Sequence, residues 1–206
     1  DSGGPDYEHI WVTEALRGLV AGNLSVQVSN EGVHSGMSGG VIPSSFRIQR
    51  MLLDRVEDSK TGEILVPEMH VEISDKVRKE AEELGKLLGD EIWAQLPVVD
   101  TLRPHNEDSA EILLDMNWRP AMSVIGANGM PPTQTAGNVL RTHTDLKLSF
   151  RIPPGINSEI IDSILKEILE SNPPYGSKVE YIPDAAADGF HAPPMDGKIA
   201  DALSSA

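Results

Sequence analysis

Residues 32–40 read Gly32-Val33-His34-Ser35-Gly36-Met37-Ser38-Gly39-Gly40, a single histidine among four glycines. An alternating apolar run precedes this stretch, and Pro43-Ser44-Ser45, which is typical of a helix start, follows it. Glycine allows positive φ angles and a close approach of the backbone to other groups. The stretch therefore predicts a strand-to-helix loop that presents the His34 imidazole. A glycine-rich connection with an incidental surface histidine is the simpler interpretation of this stretch by itself.

Alternation of apolar and polar residues predicts two strands, one before and one well after this loop. In residues 23–29, Leu24, Val26 and Val28 alternate with polar residues, which is the period of a half-buried strand. Residues 145–152 form the clearer strand, because successive side chains of a strand point to opposite faces. Its apolar face carries Leu146, Leu148, Phe150 and Ile152, and its polar face carries Asp145, Lys147, Ser149 and Arg151.

The order of the remaining elements predicts the fold class. Helices are expected at about residues 45–57, 74–96, 109–116 and 158–172, and further strands at 121–125 and 178–182. Without residues 59–118, the order is strand, helix, strand, strand, helix, strand. We therefore expect an α+β, ferredoxin-like split βαβ fold, with a four-stranded antiparallel sheet and two helices on one face. Residues 59–118 then form a helical insertion after the first helix.

The composition limits the classes of function. The chain of 206 residues suits one domain, and 17 Lys and Arg against 32 Asp and Glu give a formal net charge of −15. Without a basic stripe, binding to nucleic acid or to an anionic membrane is not expected. The lack of cysteine excludes disulfides, thiolate metal sites and a cysteine nucleophile. Since no apolar run approaches a membrane span and no signal peptide is recognisable, we expect a cytoplasmic protein.

A few polar side chains are candidates for a functional site. The six histidines show neither H-x-x-x-H nor HExxH spacing, so the sequence contains no self-contained zinc site. Arg151 lies on the polar face of the clearest strand, where a guanidinium can bind a carboxylate bidentately, although such arginines also form surface salt bridges. Asn138 follows Gly137 just before the same strand. Its amide can hold a carboxylate or a carbonyl, but Asn after Gly is also ordinary turn chemistry.

Several motifs taken together resemble one protein family. Leu16-Arg17-Gly18, the first strand and residues 34–43 (HSGMSGGVIP) resemble the signature stretch of the dinuclear-zinc peptidases, the group of carnosinase, glutamate carboxypeptidase, aminoacylase and succinyl-diaminopimelate desuccinylase. Asp1-Ser2-Gly3 is similar to the family's Asp-Ser-Gly element, and residues 147–153 (KLSFRIP) are similar to its K-x-S-x-R-hydrophobic-P strand. The resemblance covers essentially the whole chain. It is closest to the carnosinase-like dipeptidase branch, which carries a helical insertion where this chain has residues 59–118.

The resemblance implies both an architecture and roles for single residues. It implies a ferredoxin-like lid or dimerisation domain inserted into a larger zinc-binding catalytic domain, with a homodimer formed through the lid. His34 is then expected to reach the scissile carbonyl, usually from the partner subunit, and to stabilise the oxyanion. Arg151 is expected to grip the C-terminal carboxylate of the substrate, with Asn138 contributing to the same pocket. Asp1 is expected to be a zinc ligand of the catalytic domain.

The family's other metal ligands and its general base are not found in these 206 residues, and the first residue is Asp rather than Met. We therefore expect residues 1–18 to connect from an absent catalytic domain, residues 19–186 to form the lid, and residues 187–206 to return to that domain. The whole protein would be a zinc-dependent dipeptidase or N-acyl amino acid amidohydrolase, with two zinc ions or with Mn or Co. It would hydrolyse an amide bond next to a free carboxylate.

Two further expectations concern the chain by itself. The chain alone is expected to be inactive and to hold no tight zinc. The alternative is a free-standing ferredoxin-like module that dimerises and binds small ligands, because this fold hosts many functions.

Overall fold

The computed structural model describes residues 12–193 and 197–198 as a mixture of short and long strands with several helices. The strands are β1 (Ala15–Leu16), β2 (Gly18–Gln27), β3 (Val33–His34), β4 (Ala121–Asn128), β5 (Val139–Leu140), β6 (His143–Ile152), β7 (Lys178–Ala187) and β8 (Phe190–His191). The α-helices are α1 (Ser35–Ser38), α2 (Ser45–Leu53), α3 (Asp75–Leu88), α4 (Glu91–Ala94), α5 (Ser109–Asn117) and α6 (Ser158–Glu170). Single 3₁₀ turns occupy Pro67–Met69 and Pro174–Gly176.

The long strands form one four-stranded sheet in the order β4-β6-β2-β7, and every neighbouring pair is antiparallel. The central pair β2–β6 runs in continuous register from Gly18 opposite Ile152 to Gln27 opposite His143. Two small antiparallel pairs flank this sheet. In one, β1 pairs with β8, and in the other, β3 pairs with β5. Each strand and helix that the periodicity predicts is present, with different bounds.

The core lies between one face of the sheet and the helices α2 and α6. On β6 every second residue is buried, from Thr144 to Ile152, as the alternation predicts. α2 packs on β2 and β6, and α6 packs on β2 and β7. The opposite face of β6 carries Asp145, Lys147, Ser149 and Arg151. The fully buried hydrophobic residues are Val20, Leu24, Val26, Ile48, Leu52, Val56, Met69, Leu148, Phe150, Ile152, Leu165, Leu169 and Tyr181.

The helical insertion has its own small core and differs from the prediction in one respect. Val77 and Ala81 of α3 pack against Leu114 of α5, separately from the main cluster. The prediction of one long helix running towards Leu96 is wrong, because α3 ends at Leu88. Gly89 has φ +54° and its N–H donates to the Gly85 carbonyl, which is the way a glycine closes a helix end. In the described ranges no helix is long and apolar enough to cross a membrane.

Candidate functional site

The glycine-rich stretch is a fixed structure, with a short strand and one helical turn. Val33 and His34 pair with Leu140 and Val139, and α1 begins at the next residue. The N–H of Ser35 donates to the Asn138 carbonyl at 2.9 Å. The hydroxyl of Ser38, a buried residue, donates to the His34 carbonyl at 3.1 Å. These bonds hold the backbone of His34 on both sides of the residue.

The His34 side chain is exposed, and its ring is oriented by its own loop. The N–H of Gly36 donates to Nδ1 of His34 at 3.1 Å. Since Nδ1 accepts this bond, the proton of a neutral imidazole lies on Nε2, which is then a hydrogen-bond donor. A Cβ at position 36 would lie 3.1 Å from both Nδ1 and Cε1 of the ring, so glycine leaves the room that the ring occupies.

Asn138 lies beside His34. Its carbonyl accepts the Ser35 bond, and the next residue, Val139, is the pairing partner of His34. The side chain of Asn138 is exposed. The structure therefore brings Asn138 together with His34 at the end of the sheet where β6 begins.

Arg151 lies at the opposite end of the same sheet. It pairs with Leu19 of β2 on one side and with Ala121 of β4 on the other, and its side chain is exposed. Its guanidinium makes no hydrogen bond or ion pair with any other described residue. Within one chain, Arg151 lies eight positions along β6 from His143, the first residue of that strand. At about 3.4 Å per residue this is about 27 Å, so Arg151 is far from His34 and Asn138.

Arg17, which the sequence marks only as part of the Leu16-Arg17-Gly18 motif, lies close to Arg151. Its Nη1 donates to the carbonyls of Asp115 at 2.9 Å and Arg119 at 3.0 Å. Burial and, secondly, the charge of Arg151 lower the pKa of Arg17, while Asp115 acts in the opposite direction. This end of the sheet therefore carries two neighbouring positive charges, of which Arg17 is bound to backbone carbonyls.

The described residues do not form a metal site. Within residues 12–193 and 197–198, no three His, Asp or Glu side chains lie close enough together to hold a metal ion. Asp1, the predicted metal ligand, lies outside the described residues.

Two clefts of about 640 Å³ are found elsewhere, one against the insertion near Trp118 and one between α3 and β1. Neither is lined by His34, Asn138 or Arg151.

Two features of the site were missed by reasoning from the sequence. The sequence predicts a loop that presents the imidazole, but it does not reveal that the N–H of Gly36 orients the ring. The Ser-Gly step directly after His34 was the available signal, because a helix start at Ser35 aims the next N–H groups back at the preceding side chain. The proximity of Arg17 to Arg151 had no local signal, because it depends on the pairing of β2 with β6.

Comparison with known proteins shows that this chain is related to a metallodipeptidase. No protein-family model matches the chain. The Cys-Gly metallodipeptidase DUG1 of Saccharomyces cerevisiae is 26% identical in an alignment of 193 residues that covers 88% of this chain and 39% of the yeast protein. The chain is homologous to this dipeptidase and spans about two fifths of its length.

Solved structures share the fold. The human carnosine dipeptidase 1 structure superposes with a TM-score of 0.72 at 21% identity, over 92% of this chain and 41% of that one. The yeast dipeptidase Dug1p gives a TM-score of 0.68 at 22% identity, over 91% and 40%. The M20 family metallo-carboxypeptidase Sso-CP2 of Sulfolobus solfataricus gives 0.64 at 16% identity, over 90% and 48%. The mixed α/β fold with an antiparallel sheet is thus that of a part of these peptidases.

Proposed function

We propose that this chain is the lid and dimerisation part of a metal-dependent dipeptidase or N-acyl amino acid amidohydrolase. Residues 19–186 form a ferredoxin-like lid with residues 59–118 as its insertion, and the flanking residues connect to a catalytic domain. The homology to a metallodipeptidase and the strand order β4-β6-β2-β7 support this proposal. The chain spans about two fifths of its relatives, which leaves room in them for a catalytic domain.

In this proposal His34 is the catalytic residue of the chain. Its Nε2–H donates to the oxygen of the scissile carbonyl and stabilises the negative charge that develops there in the transition state. Asn138, on the same end of the sheet, binds the substrate beside it. Arg151 binds the free carboxylate of the substrate through two parallel N–H donors. The hydrolysed amide bond then lies next to a free carboxylate.

The observation that carries the proposal is the separation of His34 from Arg151. A dipeptide spans only about 7 Å even when it is fully extended. Since β6 spans about 27 Å between its start, near His34, and Arg151, these two residues of one chain cannot bind the two ends of one dipeptide. We infer that each active site takes Arg151 from one subunit and His34 with Asn138 from its partner in a homodimer.

In this proposal, the metal ions are bound mainly by the catalytic domain of the longer protein. Two zinc ions, or manganese or cobalt, would supply an activated water for attack on the amide. The described residues do not fit a metal site, and Asp1 is the one ligand that we propose from this chain. The roles of His34, Asn138 and Arg151 are binding and charge stabilisation, and they do not depend on which metal is bound.

The test uses mixed dimers of the longer protein that we propose contains this chain. His34→Ala is expected to lower kcat about a hundredfold or more, and Arg151→Ala to raise KM mainly. The two variants are expressed together with different affinity tags, and the mixed dimer is purified through both tags. Because one of its two sites receives both side chains intact, it should recover about half of the wild-type kcat/KM.

The control is a dimer with both affinity tags in which both subunits carry His34→Ala. This dimer should stay inactive. A His34→Ala/Arg151→Ala mixed dimer whose kcat/KM is no higher than that of the Arg151→Ala dimer would contradict the sharing of one site between two subunits. Wild-type kinetics in both single variants would remove the proposed roles altogether. A protein without amide hydrolase activity that still dimerises and binds small carboxylates would instead favour the free-standing ligand-binding module.

A further inference from the structure

Arg17 occupies the carboxyl-terminal end of the insertion helix α5. Its Nη1 donates to the Asp115 carbonyl in the last turn of α5 and to the Arg119 carbonyl just beyond it. The last carbonyls of a helix lack partners within the helix, and this end carries the negative pole of the helix dipole. Such a group attracts any guanidinium within its reach.

Two further arginines lie near Arg17: Arg119, whose guanidinium binds the carboxylates of Asp115 and Glu111, and Arg151. Arg151 lies opposite Leu19, and Arg17 immediately precedes β2, so the two arginines are diagonal neighbours across the central strand pair. The charge of Arg151 is close enough to contribute to the lowered pKa of Arg17, after burial. The two arginines have side chains of equal length and start from diagonal positions, so the end of α5 that Arg17 reaches is also within range of the Arg151 side chain. Nevertheless, the Arg151 guanidinium has no hydrogen-bond partner among the described residues.

We propose that Arg17 is a positioning residue for Arg151, because it fills the α5 carbonyls and so keeps the Arg151 guanidinium available for a carboxylate. Two effects act in the same direction. The carbonyl acceptors are already occupied, and the like charge of Arg17 opposes any movement of Arg151 towards them. That this carboxylate belongs to a substrate rests on the function proposed above, but the effect on Arg151 does not.

A purely structural role for Arg17 would use the same two hydrogen bonds, so the test needs a matched control. Arg55 makes the equivalent contact at the end of α6. Its Nη1 donates to the carbonyls of Ile168 at 2.9 Å and Ser171 at 2.6 Å, and its Nη2 donates to that of Asn172 at 2.9 Å. The carbonyl end of α6 leads into β7 through residues 171–177, at the end of the sheet opposite Arg151. Arg55→Met therefore removes a helix-end contact without touching Arg151.

The experiment records the Nε–Hε signals of the arginines by NMR in the 206-residue chain, with the Arg151 signal assigned by its loss in Arg151→Lys. Sodium acetate is the probe, and sodium chloride at equal ionic strength is the blank. In the wild type, the Arg151 Hε should exchange rapidly with water and its signal should shift with acetate. In Arg17→Met the exchange should slow and the apparent acetate affinity should fall, each by about fivefold, the effect of one hydrogen-bonded contact.

Further variants complete the test. Arg17→Lys, which keeps a cation at the carbonyls, should restore the wild-type behaviour of Arg151, and Arg55→Met should leave it unchanged. If Arg17→Met does not fold, Arg17→Gln takes its place, since it keeps an amide donor without the charge. An Arg151 signal that exchanges rapidly and responds normally to acetate in the uncharged variants would overturn the proposal and leave Arg17 as an anchor of the insertion. Because no hydrolysis is measured, this result is independent of the mixed-dimer assay.

Discussion

The backbone N–H of Gly36 donates a hydrogen bond to Nδ1 of His34, with 3.1 Å between the two nitrogens. A ring nitrogen that accepts a hydrogen bond carries no proton, so the neutral imidazole holds its proton on Nε2. An oxyanion needs a donor, and Nε2–H is the donor that this arrangement exposes. Gly36, the glycine of the Ser-Gly step, thus determines which nitrogen of His34 can serve the proposed role.

Substitution of Gly36 should disturb this tautomer. The Cβ of Gly36→Ala would lie 3.1 Å from the ring, so the imidazole must move and its bond to the residue 36 N–H should weaken. Two-bond ¹H–¹⁵N NMR spectra of the neutral ring should show the Nε2–H form as dominant in the wild type and a mixture of both tautomers in the variant. Gly137→Ala is the control, because a Cβ there meets no atom within 4 Å. Identical tautomer ratios in Gly36→Ala and the wild type would contradict the assignment.

Asn138 should behave as a partner of His34 in the mixed-dimer assay. Asn138→Ala is expected to lower kcat/KM on the order of tenfold, the cost of one hydrogen bond to substrate. Because the Asn138 carbonyl is bonded to the N–H that follows His34, both side chains should serve the same active site. A mixed dimer of Asn138→Ala with Arg151→Ala should therefore recover about half of the wild-type activity. A mixed dimer of Asn138→Ala with His34→Ala has a defect in both sites and should not recover, and the opposite pattern would place Asn138 with Arg151.

Gly22 is required by the buried ring of Tyr181. A Cβ at position 22 would overlap that ring, and Tyr181 is 0% exposed. Gly22→Ala should lower the free energy of unfolding by about 1–3 kcal/mol, which is typical of overpacking, as measured by urea denaturation. Tyr181→Leu removes the ring and leaves space, so the double variant should lose less stability than the sum of the two single losses. Strict additivity of the two losses would show that the side chains do not conflict.

Asp188 should make the chain less stable in acid. The N–H of Ser158 at the start of α6 donates to its carboxylate at 2.7 Å, and this bond lowers the pKa of Asp188 below its ordinary 3.8. A carboxyl group whose pKa is lowered by folding stabilises the fold above its ordinary pKa, and this contribution is lost as the pH falls through the lowered value. The difference in unfolding free energy between wild type and Asp188→Asn should therefore be largest at neutral pH and shrink below about pH 4.

The control for this pH dependence is Glu167→Gln, which removes an exposed carboxylate of the same helix that makes no hydrogen bond to another described residue. Urea denaturation at neutral pH and at about pH 3 gives both differences. A constant difference for Asp188→Asn across this range would mean that its carboxylate does not stabilise α6 in the folded chain.

The sequence predicted which strands and helices form, because local periodicity decides this. It did not predict where several of them end. β7 was expected to stop at Ile182 but continues to Ala187 through Pro183. β7 lies at an edge of the sheet, where the missing N–H of a proline can face away from the neighbouring strand. Likewise, the strand expected at 121–125 continues as β4 to Asn128, because a register shift between Val124 and Gly126 absorbs the glycine.

The sequence by itself determined three features: the alternation in β6, the glycines around His34 and the motifs of a peptidase family. Homology to a metallodipeptidase confirms the relationship to that family. These features are local, since strand period and glycine conformation depend on neighbours along the chain. Only the tertiary structure decided where the side chains lie. The antiparallel register of β2 and β6 puts Arg17 beside Arg151 and carries His34 with Asn138 to the far end of the sheet. Such distances arise from pairings between residues more than a hundred positions apart, and local sequence does not specify them.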